Sequence, residues 1–163
     1  MIRALIGGVV AAGVLAVASV SSHAQDSRPG LNLDTAQQMA SACLALAKTE
    51  GWPMHVAIVD NHGNLKLYAR MDGTSLLPQK IAIMKAETSA SFPVSTKQIA
   101  GFGFPEGVAG PFSTVPGVIF FEGGIPIMGA GGHIGGIGVS GSSGENDGKC
   151  AQAGIDAVAS LLK

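Results

Sequence analysis

The feature that most constrains the fold is a pair of short apolar segments joined by a tight turn. The segments MHVAIVD (54–60) and NLKLYARMD (64–72) are typical of β-strands, and NHGN (61–64) has the composition of a turn. We therefore predict a β-hairpin. Because the two strands of a hairpin run antiparallel, the sheet that contains them is not an all-parallel sheet.

The rest of the chain predicts three helices and three more strands. The first helix is capped by Asn32 or Asp34 and ends at Gly51. A segment at 93–103 predicts a short helical turn or a loop, and 104–117 predicts a surface loop. The predicted helices cover 31–51, about Leu77 to Phe92, and 142–163. The three further predicted strands cover 118–124, 125–132 and 133–141. The order α-β-β-α-β-β-β-α predicts an α+β fold with a five-stranded antiparallel sheet.

The amino terminus has the pattern of a secretory signal peptide. Arg3 precedes an uncharged apolar run, and SHA closes the segment at Ala24. We expect a signal peptide over 1–24, a flexible leader over 25–30 and a single domain over 31–163. A permanent membrane anchor is the alternative. Cleavage would leave a periplasmic or extracellular protein with no membrane segment.

Charge and cysteine content narrow the function further. Removal of Arg3 leaves nine of the ten basic residues beside eleven acidic ones, a balance that predicts no nucleic-acid partner. Cys43 and Cys150 fall on the apolar sides of the first and last predicted helices. Two buried free thiols are the favoured interpretation, and a disulfide between the helices is the alternative.

The segment GIGVSG matches the spacing of a dinucleotide-binding loop through Gly136, Gly138 and Gly141. The predicted helix that follows runs to the end of the sequence, so the second parallel strand of such a site is missing. A nucleophilic serine is also excluded here, because no histidine follows His133. We interpret the glycines as an edge-to-helix turn that lets another backbone or a flat ligand come close.

Several blocks together resemble one family. They are ARMDG (69–73), GGIPI (123–127) and GIGVSG (136–141), within longer similar segments from about Leu31 to Leu162. The chain resembles the GlcG/HbpS family, whose members are often described as haem-degrading. The resemblance implies a profilin-like fold with a five-stranded antiparallel sheet between helices, in three layers. It also implies homo-oligomers built from dimers, commonly octamers, and haem binding by the secreted members.

Three histidines are candidate ligands of haem iron. His133 ranks first as the axial ligand, because the preceding GAGG leaves room for a bulky group, and His55 and His62 are alternatives. Tyr68 and Met71 are weaker candidates. Each histidine also has a simpler interpretation, as a buried residue of the sheet or an exposed residue of the turn.

Charged residues are candidates for the rest of a site. Arg70 and Lys85 could bind haem propionates, and Thr88 lies one helical turn after Lys85. Arg70 and Lys85 could form a polar cluster with three acidic residues, either as a ligand site or as a salt-bridge network between subunits. The acidic residues are Asp72, Glu145 and Asp147.

The sequence therefore supports three functions. The first is a secreted, oligomeric haem-binding protein that sequesters, senses or slowly degrades haem. The second is an enzyme acting on a small hydroxy- or oxo-acid, with Lys85 as base and Arg70 in a carboxylate clamp. The third is a structural oligomer whose polar cluster only joins subunits.

Overall fold

The structure is a computed structural model, and it describes residues 30–163 of the 163-residue chain. The predicted signal peptide and nearly all of the predicted leader lie outside the described residues. Within the described part, no helix is both long enough and apolar enough to cross a membrane.

Residues 30–163 form an α+β fold with four helices and one four-stranded antiparallel sheet. The helices are α1 (Leu33–Glu50), α2 (Leu77–Ser91), α3 (Thr96–Gly103) and α4 (Gly144–Ala157). The strands are β1 (His55–Asp60), β2 (Leu65–Arg70), β3 (Gly124–Gly129) and β4 (Gly132–Ser140), and they lie in the order β2-β1-β4-β3. Two short 3-10 turns, Pro105–Gly107 and Pro111–Thr114, lie between α3 and β3.

The predicted hairpin is confirmed. β1 and β2 pair antiparallel, with His55 opposite Arg70. Asp60 closes the turn, because one of its carboxylate oxygens accepts hydrogen bonds from the backbone N–H groups of His62 and Asn64, both at 2.9 Å.

Helices cover both faces of the sheet. On β1, Val56 and Ile58 belong to the core cluster that also contains buried residues of α1 and α4. The alternate residues Ala57 and Val59 face the other way and pack in a smaller cluster with alanines of α2. The sheet is therefore the middle of three layers, with α1 and α4 on one face and α2 on the other.

The α1–α4 layer is closed by a disulfide between Cys43 and Cys150. Both residues are fully buried, and their Cα atoms are 4.6 Å apart. The favoured sequence interpretation, two free thiols, is therefore wrong. Sequence spacing did not show that the apolar sides of the two helices face each other, although each helix had been predicted.

On the other face, α2 lies directly over the glycines of β4. A Cβ added at Gly138 would collide with backbone atoms of Ala82 and Ala86, and one at Gly136 would collide with backbone atoms of Ala86 and Ala90. Because Gly136 and Gly138 have no side chain, the backbone of α2 comes close to β4, as expected from the sequence. These glycines do not form an edge-to-helix turn, because β4 is an inner strand between β1 and β3.

The predicted fifth strand, 118–124, does not form. The backbone N–H of Ile119 donates to Thr88 Oγ1 at 3.1 Å, so this part of the chain is attached to α2. Gly117 and Gly123 have φ angles of +82° and +127°, which turn the chain on either side of the segment. Only the end of the segment joins the sheet, where Val139 N–H donates to the carbonyl of Gly123.

The ends of α1 follow the sequence closely, whereas α4 ends at Ala157, before the end predicted at 163. Asn32 caps α1, accepting a hydrogen bond from the N–H of Thr35 at 2.8 Å, and Gly51 ends it with a φ of +71°. The segment at 93–103, predicted as a helical turn or loop, contains the helix α3. Its start has a reciprocal capping arrangement of Ser95 and Gln98.

The disulfide gives the first testable prediction. Reduction, or the double substitution Cys43→Ala and Cys150→Ala, should lower the free energy of unfolding by about 2–5 kcal/mol, because the bond constrains a long loop in the unfolded chain. The loop is long, since the two cysteines are 107 residues apart. Urea unfolding with and without dithiothreitol measures the change. The double variant should not respond to dithiothreitol, and an equal stability of reduced and oxidised protein would contradict the prediction.

Candidate functional site

The three candidate histidines have different surroundings. His55 is fully buried, with its Nδ1 2.6 Å from the hydroxyl of Tyr68 and its Nε2 3.1 Å from the carbonyl oxygen of Ser75. Because a carbonyl only accepts, Nε2 carries the proton and Nδ1 accepts from Tyr68. Burial lowers the pKa of His55, and the charge of Arg70 adds to the effect. His55 is thus a neutral residue of the core with both ring nitrogens occupied.

His133 is only partly buried and lies at the start of β4. Its Nε2 donates to the backbone carbonyl of Ser89, near the end of α2, at 2.9 Å. In the neutral ring this leaves Nδ1 with a free lone pair, which is the form that binds a metal. The hydrogen bond to Ser89 also fixes the orientation of the ring.

His133 shares an open cleft with His62, the exposed histidine of the hairpin turn. The cleft has a volume of about 570 Å³ and lies between that turn and the carboxyl end of α2. We call it the histidine cleft. It is lined by Asn61, His62, Gly63, Glu87, Ala90, Ser91 and His133.

The histidine cleft also contains an unsatisfied polar atom. Asn61 Oδ1 is buried and has no hydrogen-bond partner, although the side-chain amide of the same residue donates to the carbonyl of His133 at 3.3 Å. Throughout residues 30–163, no group of three or more His, Cys, Asp or Glu side chains is placed to hold a metal ion.

A second polar site lies at the middle of α2, one helical turn before Ser89. Lys85, whose side chain is 2% exposed, donates from Nζ to Asp147 Oδ2 at 2.7 Å and to the carbonyl of Val139 at 2.8 Å. Asp147 is in the first turn of α4, and its Oδ1 accepts from the N–H of Ser142 at 3.1 Å. The ion pair thus joins α2 to α4 past the end of β4.

Burial opposes the charges of both partners. It lowers the pKa of Lys85 and raises the pKa of Asp147, while the attraction between the two groups acts in the opposite direction on each. Gly123 passes directly over the pair, since a Cβ there would lie 2.7 Å from both Lys85 Nζ and Asp147 Cβ. The pair is therefore an internal connection within one chain.

The pair lies beside a cleft of about 350 Å³, which we call the lysine cleft. It is separate from the histidine cleft and shares no residue with it. Its lining residues are Ile81, Lys85, Phe120, Phe121, Glu122, Ser140, Ser142, Gly144 and Asp147.

The larger polar cluster expected from the sequence does not assemble. Arg70 donates to the hydroxyl and carbonyl oxygens of Thr74, at 2.8 and 2.9 Å, and lies in neither cleft. Glu145 pairs with Lys149 on the surface of α4 at 2.7 Å.

Asp72, the remaining member of the expected cluster, and the neighbouring candidate Thr88 also lie apart from the ion pair. Thr88 holds the loop at Ile119 through its hydroxyl. Asp72 forms no ion pair with another described residue. The structure therefore brings together only Lys85 and Asp147, and it does not combine Lys85 and Arg70 in one carboxylate clamp.

Asn61 and Ser140 line these clefts but are not among the site residues that the sequence predicts. Asn61 directly precedes the candidate ligand His62, and Ser140 lies within the segment GIGVSG. Their position beside these features is the signal in the sequence that points to them.

Comparisons with known proteins agree with this architecture. A family model described as haem-degrading protein HbpS-like matches residues 31–156. Protein GlcG of Escherichia coli K12 is 35% identical over 111 residues, which cover 64% of this chain and 79% of GlcG.

Solved structures are also similar. Protein ORFY of Klebsiella pneumoniae superimposes with a TM-score of 0.78 at 29% identity, covering 88% of this chain and 99% of ORFY. A complex of PduOC with haem superimposes with a TM-score of 0.73 at 29% identity, covering 79% of this chain and 95% of PduOC.

The buried ion pair gives the second testable prediction. Lys85→Met should lower the free energy of unfolding by about 3–5 kcal/mol, because it leaves the carboxyl of Asp147 buried without its partner. The double variant Lys85→Met with Asp147→Leu should recover most of that loss, since two apolar groups of similar size need no partner.

Chemical unfolding of the two single variants and the double variant measures this coupling. Glu145→Gln, which removes only an exposed surface pair, is the control and should leave the stability nearly unchanged. If the two single losses simply add in the double variant, the pair is not coupled and the interpretation is wrong.

Proposed function

The chain belongs to the HbpS-like family of haem-degrading proteins, and on this premise we propose that it binds haem in the histidine cleft. The observation that carries the proposal is the presence of two imidazoles, His62 and His133, in one open cleft. They come from distant parts of the chain, a hairpin turn and the start of β4. The related PduOC was solved in complex with haem, which supports the same ligand here.

The side chains in the cleft fit the requirements of haem iron. A porphyrin supplies four nitrogen ligands, so the protein needs to add only one or two, and histidine is a common choice. A volume of about 570 Å³ lies within the range of small-molecule sites.

Each residue of the cleft has a distinct role in this proposal. His133 is the preferred iron ligand, because its hydrogen bond to Ser89 fixes the ring and leaves Nδ1 free. His62 would be either a second iron ligand or a side chain that contacts haem at the open side of the cleft. The unsatisfied Oδ1 of Asn61 offers an acceptor to the ligand or to its water. When bound, haem supplies a redox-active iron.

The haem propionates would extend out of the cleft. Its lining contains the acidic residue Glu87 and no lysine or arginine, so it offers no cation for a carboxylate. Lys85 and Arg70, the cations considered first for this role, lie elsewhere in the fold. Haem would therefore bind through its iron, with its charged edge in solvent.

We also propose that the protein is exported and acts as a homo-oligomer that sequesters, senses or slowly degrades haem. The Cys43–Cys150 disulfide supports an oxidising compartment, as the pattern of residues 1–24 does. Periplasmic or extracellular location, assembly from dimers to an octamer, and the profilin-like description of the fold remain predictions.

Haemin titration tests the proposed ligand and its site. The protein should give a saturable Soret band at one haem per chain. His133→Ala should shift the band and weaken binding at least about tenfold, because the iron loses its fixed ligand. His62→Ala should have a smaller effect.

His55→Gln is the matched control. It removes an imidazole that lies outside the cleft and keeps a side chain that can hydrogen bond. It should leave the Soret band unchanged in the folded protein, as checked by circular dichroism. A band that persists unchanged in the His62→Ala, His133→Ala double variant would refute the histidine cleft as the site of haem.

A further inference from the structure

The lysine cleft has unused hydrogen-bonding capacity at its inner end. The ammonium of Lys85 has three N–H donors, and two of them are used, by Asp147 and by the carbonyl of Val139. Ser140 is 5% exposed, and its hydroxyl takes part in none of the side-chain hydrogen bonds found within residues 30–163. Because residues two apart on a strand share a face, Ser140 lies on the same side of β4 as Gly138, toward α2.

Charge limits what can bind there. The lining contains the cation Lys85 and the two acidic residues Asp147 and Glu122, so its formal charge is one minus two, or −1. Glu122 is paired with Lys97 on its other side at 3.1 Å. A carboxylate or phosphate entering the cleft would come close to two acidic groups, which disfavours anions. A second cation would be repelled by Lys85.

Three large apolar side chains form the apolar part of the wall, beside the polar and charged residues. Ile81 of α2, together with Phe120 and Phe121 of the loop before β3, lines the cleft. Its volume of about 350 Å³ is at the lower end of the range for small-molecule sites. Apolar walls with a few polar groups at one end are typical of sites for small, mostly apolar compounds.

We propose that the lysine cleft is a binding site for a small apolar compound with one neutral carbonyl group. The carbonyl oxygen accepts hydrogen bonds from Lys85 Nζ and Ser140 Oγ, and the apolar part packs between Ile81 and the two phenylalanines. The class is aldehydes, ketones and their neutral analogues. This site is independent of haem, because it shares no residue with the histidine cleft.

Three probes of similar size test the chemical class. They are acetophenone, which has a neutral carbonyl, ethylbenzene, which lacks it, and benzoate, which is an anion. Amide shifts in ¹H–¹⁵N NMR spectra of the protein locate and quantify binding. We expect saturable shifts with acetophenone at Gly123, Ser142 and Gly144, and affinities at least about tenfold weaker for the other two probes, because a hydrogen bond to a charged donor is lost or an anion is introduced.

Two variants test the polar end of the cleft. Ser140→Ala should weaken acetophenone binding by about threefold to tenfold and leave ethylbenzene unaffected. Lys85→Met with Asp147→Leu should remove the preference for acetophenone over ethylbenzene while the apolar walls remain. If that double variant does not fold, the comparison of probes and the Ser140→Ala variant still decide the question.

Three results would overturn the proposal. They are no saturable shift at the amides of the lysine cleft, benzoate or ethylbenzene binding as tightly as acetophenone, and an unchanged acetophenone affinity in Ser140→Ala. Shifts confined to Asn61, His62 and His133 would place the probe in the histidine cleft and would equally refute it. The haem titration is a separate measurement, so failure of either proposal is distinguishable from failure of the other.

Discussion

The close contact between helix α2 and strand β4 determines the arrangement of both clefts. The two backbones approach so closely that Gly136 and Gly138 have no space for a Cβ atom. At one end of α2, the carbonyl of Ser89 fixes His133 beside the hairpin turn. One helical turn earlier, at the middle of α2, Lys85 reaches Asp147 past the end of β4. A helix held farther from the sheet would lose both connections.

Helix α4 connects this arrangement to the opposite layer. Asp147, in its first turn, is bound to α2 through the ion pair, and Cys150, one turn later, is bonded to Cys43 of α1. Two connections therefore hold the sheet between the helices, an ion pair to α2 and a disulfide to α1. Both begin in the segment 147–150 of α4. Both connections are buried, so each also depends on the packing around it.

Much of the fold was predictable because its signals are local. The hairpin follows from two strands and a turn, and the ends of α1 follow from Asn32 and Gly51. The predictions that were wrong depend on contacts between residues far apart in the sequence. The segment at 118–124 has the composition of a strand, but its hydrogen bond to Thr88 directs it across α2. The partner of Cys43 depends on how two helices face each other, which spacing along one chain does not define.

In the candidate site, too, local features were predictable from the sequence and long-range contacts were not. The sequence indicates that the histidines are able to bind iron. Only the fold separates buried His55 from His62 and His133, which share a cleft. Lys85 is a candidate in the sequence because it interrupts a face of small residues on the predicted second helix. Its partner Asp147 was one of three acidic candidates, and the choice among them depends on the position of α4 against α2.

The stability of a Gly138→Ala variant most directly tests the claim that the contact of α2 with β4 organises the molecule. The added methyl group would collide with the backbone of α2, so we expect a loss of about 3 kcal/mol or more in the free energy of unfolding, measured by urea denaturation. Gly101→Ala in α3 is the control, because no atom lies within 4 Å of its Cβ position and alanine favours a helix by about 0.5–1 kcal/mol. A Gly138→Ala variant as stable as the original protein would contradict this account.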